Sequence, residues 1–166
     1  GKEISSMVPA LAQASRTVGS PQIRNAGTIG GNIGTASPAG DMIPVLSALG
    51  AEVSLRSSEG KRDISLDDLI VGVKQTTLRQ GEFIESVRVP VLESPQEFLK
   101  VGSRSAMVIS VTSLALITYP KTQSVGKPPI PAEFFFIFRQ TQLTDEIAAS
   151  TAYHQEFQVT YNLYLL

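Results

Sequence analysis

The sequence predicts an α+β fold in which a mostly antiparallel sheet is flanked by short helices. Two observations lead to this class: apolar residues recur at helical spacing near the N terminus, and short β-branched segments alternate with turn residues further along. With 166 residues, the chain can form one domain of ordinary size or two small lobes. An apolar content of 42% is typical of a folded chain and argues against disorder.

The helices of the first half are predicted from spacing and end signals. Apolar residues three or four positions apart predict one helix over residues 4–18, which Gly19 ends. Six of the 13 glycines lie between residues 19 and 41, and this density predicts a long loop built around a ligand. Asp41 is expected to cap a short helix that runs to Leu49 and stops at Gly50.

Strand signals dominate the middle of the chain. Residues 51–57 and 61–66 flank a turn whose Gly60 supplies the positive φ of a tight hairpin. Ser65 stands three residues before Asp68, a spacing that resembles a capping box and predicts one helical turn through residue 71. Further strands are expected at residues 82–89, 98–102 and 109–119.

The composition changes after Pro120, because eight of the 11 aromatic residues fall in the last 46 positions. We therefore expect residues 1–119 to form one lobe and residues 120–166 to form a divergent tail of unknown structure. The aromatic centre of that tail, residues 134–138, follows neither the helical nor the strand period clearly.

Composition also narrows the possible functions. Fourteen Lys and Arg against 15 Asp and Glu leave no basic excess, so a nucleic-acid partner is not expected. The chain has no Cys and a single His, His154, which excludes disulfides, iron–sulfur ligation by this chain and a Cys-based metal site, and no metal site is predicted. A hydrolytic triad would have to use His154 and lacks a G-x-S-x-G elbow. Any redox chemistry must then come from an organic cofactor.

The sequence shows no apolar run near the ~20 residues that a membrane-spanning helix needs. We expect a cytoplasmic protein without membrane insertion.

The glycine-rich stretch at residues 24–41 carries the clearest functional signal. Adjacent Gly30 and Gly31 lack Cβ atoms, so the backbone is expected to turn with positive φ and to present successive amides to an anion such as pyrophosphate. Neither a G-x-G-x-x-G nor a GK[ST] pattern is present, which disfavours the Rossmann and Walker classes. A plain turn remains the alternative for a glycine pair. The stretch also adds polar side chains at Thr28, Asn32, Thr35 and Asp41.

These residues resemble a known family. Residues 28–32 (TIGGN), followed by residues 36–41 (ASPAGD) and Pro44, are similar to the second FAD-binding segment of the flavin subunits of molybdenum hydroxylases. That family includes the medium chains of aerobic carbon monoxide dehydrogenases and the flavin domain of xanthine dehydrogenase. The resemblance continues in register through residues 81–90 and 98–104 and covers about residues 4 to 118.

The resemblance implies an FAD-binding fold of the p-cresol methylhydroxylase (PCMH) type, of which this stretch is the larger second lobe. The first FAD segment of the family, a glycine-rich loop in a smaller lobe, has no counterpart here, and the chain is expected to begin downstream of it. By resemblance, the first residues of the motif lie against the pyrophosphate and Asp41 takes the adenosine ribose. The cofactor-binding residues implied are Thr28, Ile29, Gly30, Gly31, Asn32, Thr35, Asp41, Ile84 and Lys100.

Three of these residues have ordinary alternatives. Ile84 could pack on an aromatic ring or be a core residue. Lys100 could place a cation near the flavin or be a solvated surface residue. Asp41 could bind ribose, cap its helix, or do both.

The resemblance implies an electron-transfer function. Electrons from a molybdopterin centre on a large subunit pass through two iron–sulfur clusters on a small subunit to FAD on this chain, and then to an external acceptor. The competing hypothesis is a non-catalytic, truncated remnant that keeps the fold and a subunit contact but binds no FAD. A different nucleotide-binding module that uses the same glycine-rich stretch is a third hypothesis.

Overall fold

The computed structural model describes residues 2–104, 107–118 and 134–140, the last of these as backbone. Within these ranges the helices are α1 (Lys2–Met7), α2 (Pro9–Thr17), α3 (Pro21–Ala26), α4 (Ile29–Thr35), α5 (Met42–Ala48) and α6 (Leu66–Leu69). The strands are β1 (Glu52–Ser57), β2 (Gly60–Ser65), β3 (Ile70–Gly72), β4 (Gln75–Thr76), β5 (Phe83–Arg88), β6 (Gln96–Gly102), β7 (Ser110–Thr118) and β8 (Phe134–Gln140).

The prediction of one continuous helix over residues 4–18 was wrong, because the segment forms two helices, α1 and α2. The break falls at Val8, whose φ of −138° and ψ of 73° are not helical. The ring of Pro9 disfavours the α conformation for the residue before it, and Pro is well tolerated in the first turn of α2. Only α2 carries the buried stripe, since Ile4 and Met7 of α1 are about half exposed.

The loop predicted over residues 19–41 was also wrong, because it contains α3 and α4. Ser20 caps α3 by accepting a hydrogen bond from the Ile23 amide at 3.3 Å, and Pro21 occupies its first turn. Gly19 has a φ of +44° and separates α2 from α3, which confirms its predicted role as a helix end.

All strand pairs in the described residues are antiparallel. They form two three-stranded sheets, β2–β1–β5 and β6–β7–β8, and the short β3–β4 hairpin, which the sequence analysis did not predict. The β1–β2 hairpin is confirmed: Ser57 pairs with Gly60, and Gly60 has a φ of +149°. Helices beside antiparallel sheets confirm the predicted α+β class.

Strand β8 lies beyond residue 119 and extends the second sheet by pairing along β7 from Thr112 to Thr118. The backbone of residues 134–138 is thus extended, although their sequence follows no clear period. His154 and the rest of the tail lie outside the described residues.

The core lies between the helices and the two sheets. Helix α5 is at its centre, and six of its seven residues are buried. It packs against α2, α4, β7 and β8. The last helical turn predicted from sequence, α6, is capped as expected, because Ser65 Oγ accepts from the Asp68 amide at 3.0 Å, but it ends at Leu69 rather than at residue 71.

A bidentate ion pair between Arg62 and Glu82 joins the β2–β1–β5 sheet to the loop before β5. Arg62 Nε and one Nη donate to the two carboxylate oxygens of Glu82 at 2.7 and 2.8 Å, and the Arg79 amide donates to Glu82 at 2.8 Å. The hydrogen bonds from Arg62 and Arg79 lower the pKa of Glu82 from 4.5 to about 2.

Because the folded pKa of Glu82 lies below its ordinary value, its stabilising contribution is complete above pH 4.5 and is lost as the pH falls toward 2. We expect Glu82→Gln to lower the free energy of unfolding at pH 6, and the difference from the unmodified protein to shrink steadily on acidification. Urea unfolding monitored by circular dichroism between pH 6 and 2.5 measures this difference. A difference that stays constant over that range would contradict the assigned role.

Candidate functional site

The start of α4 presents backbone amides without acceptors. Thr28 precedes the helix in an extended conformation, and its Oγ1 accepts from the Gly31 amide at 2.9 Å. The Thr28 carbonyl accepts from the Asn32 amide at 3.1 Å. The amides of Ile29 and Gly30, in the first helical turn, have no acceptor among the described residues. Two adjacent donors therefore remain available at this end of α4.

The predicted positive φ at Gly30 and Gly31 was wrong. Both residues lie inside α4, and neither has a positive φ. The donors come from the start of a helix, where amides lack intrahelical partners, and no left-handed turn is involved. Thr35 Oγ1 donates to the Gly31 carbonyl at 2.7 Å, so this hydroxyl proton is used within the helix.

Helix α4 forms despite three glycines among its seven residues, each of which costs about 1 kcal/mol relative to alanine. Its cap and its packing compensate. Ile33 is fully buried. On the side facing β5, an added Cβ at Gly30 would lie 3.5 Å from Ile84 Cγ2, and one at Gly34 would lie 3.9 Å from Ile84 Cδ1. Half-buried Ile84 thus lies against the glycine side of α4.

Asp41 and Lys100 form a buried ion pair. Lys100 Nζ lies 2.6 Å from Asp41 Oδ2, and the two side chains are only 6% and 4% exposed. Lys100 Nζ also donates to the Thr17 carbonyl at 3.1 Å, and Thr17 Oγ1 lies 3.2 Å from Asp41 Oδ2. The surface alternative for Lys100 was therefore wrong. The capping role of Asp41 was also wrong, because its side chain makes no cap hydrogen bond to α5.

The ionisation of Asp41 depends on these partners. Burial raises the pKa of the Asp41 carboxyl, whereas the hydrogen bond and the charge of Lys100, and the hydroxyl of Thr17, act in the opposite direction. Without Lys100 the carboxylate would keep its desolvation cost and lose its counter-charge.

Two side-chain oxygens near α4 and α5 lack donors. Asn32 Oδ1 and Asp41 Oδ1 are buried and have no hydrogen-bond partner among the described residues. Gly40 lies beside both: it precedes Asp41, and a Cβ added to it would lie 3.2 Å from Asn32 Oδ1 and 3.0 Å from Ile43 Cδ1. Buried polar atoms are nearly always paired, so these two unpaired acceptors indicate a place for an external donor.

A basic pocket of about 600 Å³ lies on the other side of Lys100, between α2, α3 and the end of β6. Arg24 lines it but is not free, because one Nη donates to the carbonyls of Val18 and Gly19, both at 2.9 Å. Its lining, which contains no acidic residue, is Arg16, Thr17, Gly19, Pro21, Arg24, Lys100, Val101, Gly102, Arg104, Met107 and Val108.

The structure brings the sequence-predicted residues into two adjoining groups. The residues of α4, with Asn32 among them, and Ile84 form one, and Asp41 with Lys100 forms the other. Gly40, which precedes Asp41, links the two, because a Cβ added to it would lie 3.2 Å from Asn32 Oδ1. Thr17 belongs to the second group and was missed. No sequence signal marks it, since it lies 83 positions from Lys100.

Comparison with known proteins shows the family to which the chain belongs. A family model described as the FAD binding domain in molybdopterin dehydrogenase matches residues 1–92. The chain is 40% identical over 113 residues to the glyceraldehyde dehydrogenase medium chain of Sulfolobus acidocaldarius, covering 68% of this chain and 40% of that protein. It is 41% identical over 113 residues to the nicotinate dehydrogenase FAD-subunit of Eubacterium barkeri, covering 65% and 38%.

Among solved structures, quinoline 2-oxidoreductase from Pseudomonas putida 86 superimposes with a TM-score of 0.67 at 27% identity, over 71% of this chain and 41% of that one. The chain thus belongs to the FAD-binding domains of molybdopterin dehydrogenases. This confirms the family resemblance and its flavin cofactor, FAD, and the relatives are subunits of oxidoreductases.

The chain spans about two fifths of the length of the relatives that it matches. Of the helices in the part of the chain that the structure describes, none is long and apolar enough to cross a membrane.

The cap on α4 can be tested without any ligand. Thr28→Ala removes the acceptor of the Gly31 amide, and we expect it to lower the free energy of unfolding by about 1 kcal/mol. Thr28→Ser keeps the hydroxyl and should lose much less. Urea unfolding of the three proteins measures this. Equal stabilities for the Ala variant and the unmodified protein would show that the hydroxyl does not hold α4.

Proposed function

We propose that this chain binds FAD at the start of α4 and acts as the electron-transfer domain of a molybdenum hydroxylase-like oxidoreductase. The observation that carries the proposal is the pair of orphaned oxygens, Asn32 Oδ1 and Asp41 Oδ1, beside a helix start with two unpaired amides in a chain of this family. Donors and acceptors of this kind match the two polar parts of a dinucleotide, its diphosphate and its ribose hydroxyls.

The residues divide between these two parts. The amides of Ile29 and Gly30 are the proposed donors to the pyrophosphate, with Thr28, Gly31 and Thr35 shaping that turn of α4. The orphaned oxygens of Asn32 and Asp41 accept hydrogen bonds from the adenosine ribose, whose hydroxyls satisfy two buried acceptors that are otherwise unpaired.

Ile84 is the proposed apolar contact. It is half-buried beside Gly30 and Gly34, so part of its surface stays available at the edge of the glycine side of α4. When bound, FAD supplies reversible electron acceptance and donation, which no side chain of this chain provides. The contribution of the chain is to hold the cofactor in place and to set the charges around it.

The partners follow from the same proposal. The relatives are named as a medium chain and as an FAD-subunit, which indicates complexes of several subunits. We propose a molybdopterin-binding large subunit and an iron–sulfur small subunit as partners, with electrons passing from the clusters toward an external acceptor. Iron–sulfur clusters need thiolate ligands, and this chain has no Cys to supply them.

The alternative, a structural module that contacts other subunits without FAD, makes the opposite prediction for the isolated chain. Titration of the 166-residue protein with FAD, followed by quenching of flavin fluorescence, separates the two. Saturable binding supports the proposal, and no binding at any FAD concentration favours the structural module.

Two glycines of α4 provide a matched pair of variants. We expect Gly31→Ala to lower FAD affinity about tenfold or more, because a helical Cβ points toward the N-terminal end, where the pyrophosphate is proposed. Near Gly31 the added Cβ meets only Thr28 Oγ1, at 3.1 Å, so the capping hydroxyl must shift by a few tenths of an ångström. The dissociation constant for FAD is the measurement.

Gly34→Ala is the control, since its Cβ lies one turn away and meets only Ile84 Cδ1 at 3.9 Å. Both changes raise helix propensity by about 1 kcal/mol, but only Gly31→Ala presses on the Thr28 cap, so the free energy of unfolding of each variant is measured beside its FAD affinity. Equal affinities in the two variants would rule out the proposed pyrophosphate position.

A further inference from the structure

We propose that Lys100 and Thr17 are positioning residues for Asp41: they hold one carboxylate oxygen so that the other is the free acceptor, and Lys100 acts through Asp41 rather than by touching the cofactor. This inference rests on the proposed function, because it assigns Asp41 Oδ1 to a hydroxyl of the FAD adenosine. It changes the role that the family resemblance implies for Lys100, and it adds Thr17 to the site.

The inference rests first on the hydrogen bonds that the Lys100 ammonium makes. It donates to Asp41 Oδ2 at 2.6 Å and to the Thr17 carbonyl at 3.1 Å, and the side chain is 6% exposed. A cation enclosed in this way is directed at protein atoms. Lys100 also lines the basic pocket, but its ammonium is paired with a carboxylate and a carbonyl, so its charge offsets the buried carboxylate.

The second observation is that the two carboxylate oxygens of Asp41 differ in their partners. Oδ2 has both Lys100 Nζ and Thr17 Oγ1 within 3.2 Å, whereas Oδ1 has no partner among the described residues. The Lys100 contact at 2.6 Å holds this oxygen, and the Thr17 hydroxyl, which also donates to the Ala14 carbonyl at 2.8 Å, adds a second and weaker contact. Oδ1 is therefore kept free as an acceptor.

The third observation is that the Thr17 carbonyl, which accepts from Lys100, belongs to a fixed part of the chain. This carbonyl lies at the C-terminal end of α2, where carbonyls lack intrahelical donors and favour cations. The next two carbonyls, of Val18 and Gly19, both accept from Arg24. Two basic side chains thus hold three consecutive carbonyls, so the anchor of Lys100 is itself fixed.

The test compares three ligands in four variants of the 166-residue protein. The ligands are FAD, ADP, which lacks the flavin, and riboflavin, which lacks the adenosine and the phosphates. The variants are Asp41→Asn, Lys100→Met, the double variant, and Arg62→Met. Arg62→Met is the control because it also breaks an ion pair, with Glu82, but Arg62 makes no hydrogen bond to Asp41, Lys100 or Thr17.

We expect Lys100→Met and Asp41→Asn each to lower the affinity for FAD and ADP about tenfold or more, with riboflavin changing less than twofold. The double variant should lose less FAD affinity than the sum of the two single losses, since both changes act on the same group, the Asp41 side chain. Arg62→Met should leave all three affinities unchanged. The double variant also protects the test from misfolding, because it buries no uncompensated charge.

Three results would overturn the inference. A loss of riboflavin affinity in Lys100→Met as large as the loss for FAD would show direct contact with the flavin. Additive losses in the double variant would show that Lys100 and Asp41 act independently. Unchanged FAD and ADP affinity in Lys100→Met, with weaker binding in Asp41→Asn, would show that Lys100 only supports the fold, while the proposed function would stand.

If the unmodified protein binds none of the three ligands, the proposed function fails, and this inference with it.

Discussion

The interaction on which the rest of the structure depends is the buried ion pair between Asp41 and Lys100. Asp41 directly precedes the central helix α5, Lys100 lies in β6, and Thr17 ends α2, so one carboxylate joins three parts of the chain around the core. Two charges are costly to bury, and only good geometry with further hydrogen bonds offsets that cost. The fold meets this condition on one carboxylate oxygen and leaves the other unpaired, so an element of the core is also an element of the candidate site.

Helix α4 shows how a weak element can be placed at a site. Three of its seven residues are glycine, so propensity alone would not maintain it. The Thr28 cap, the buried Ile33 and the contact with Ile84 supply the stability. The glycines allow Ile84 to approach closely on one side and leave the first amides uncovered on the other. Small size, rather than positive φ, explains their presence here.

Local signals in the sequence were sufficient for much of the fold. The β1–β2 hairpin, the cap of α6 and three longer strands were predicted within a few residues, because each depends on neighbouring residues and on backbone preferences. The errors near the N terminus had local causes as well. Pro9 interrupts the first helix and Ser20 followed by Pro21 begins another, but the glycine density outweighed these signals in the prediction.

The sequence by itself determined the family, the α+β class and the flavin cofactor, since motifs of short range carry that information. Only the tertiary structure decided what Asp41 and Lys100 do. They are 59 positions apart, and Thr17 is 83 positions from Lys100. A cap, a surface lysine and a buried ion pair look alike in sequence, because the choice among them depends on which distant elements the topology packs together and on how much water that packing excludes.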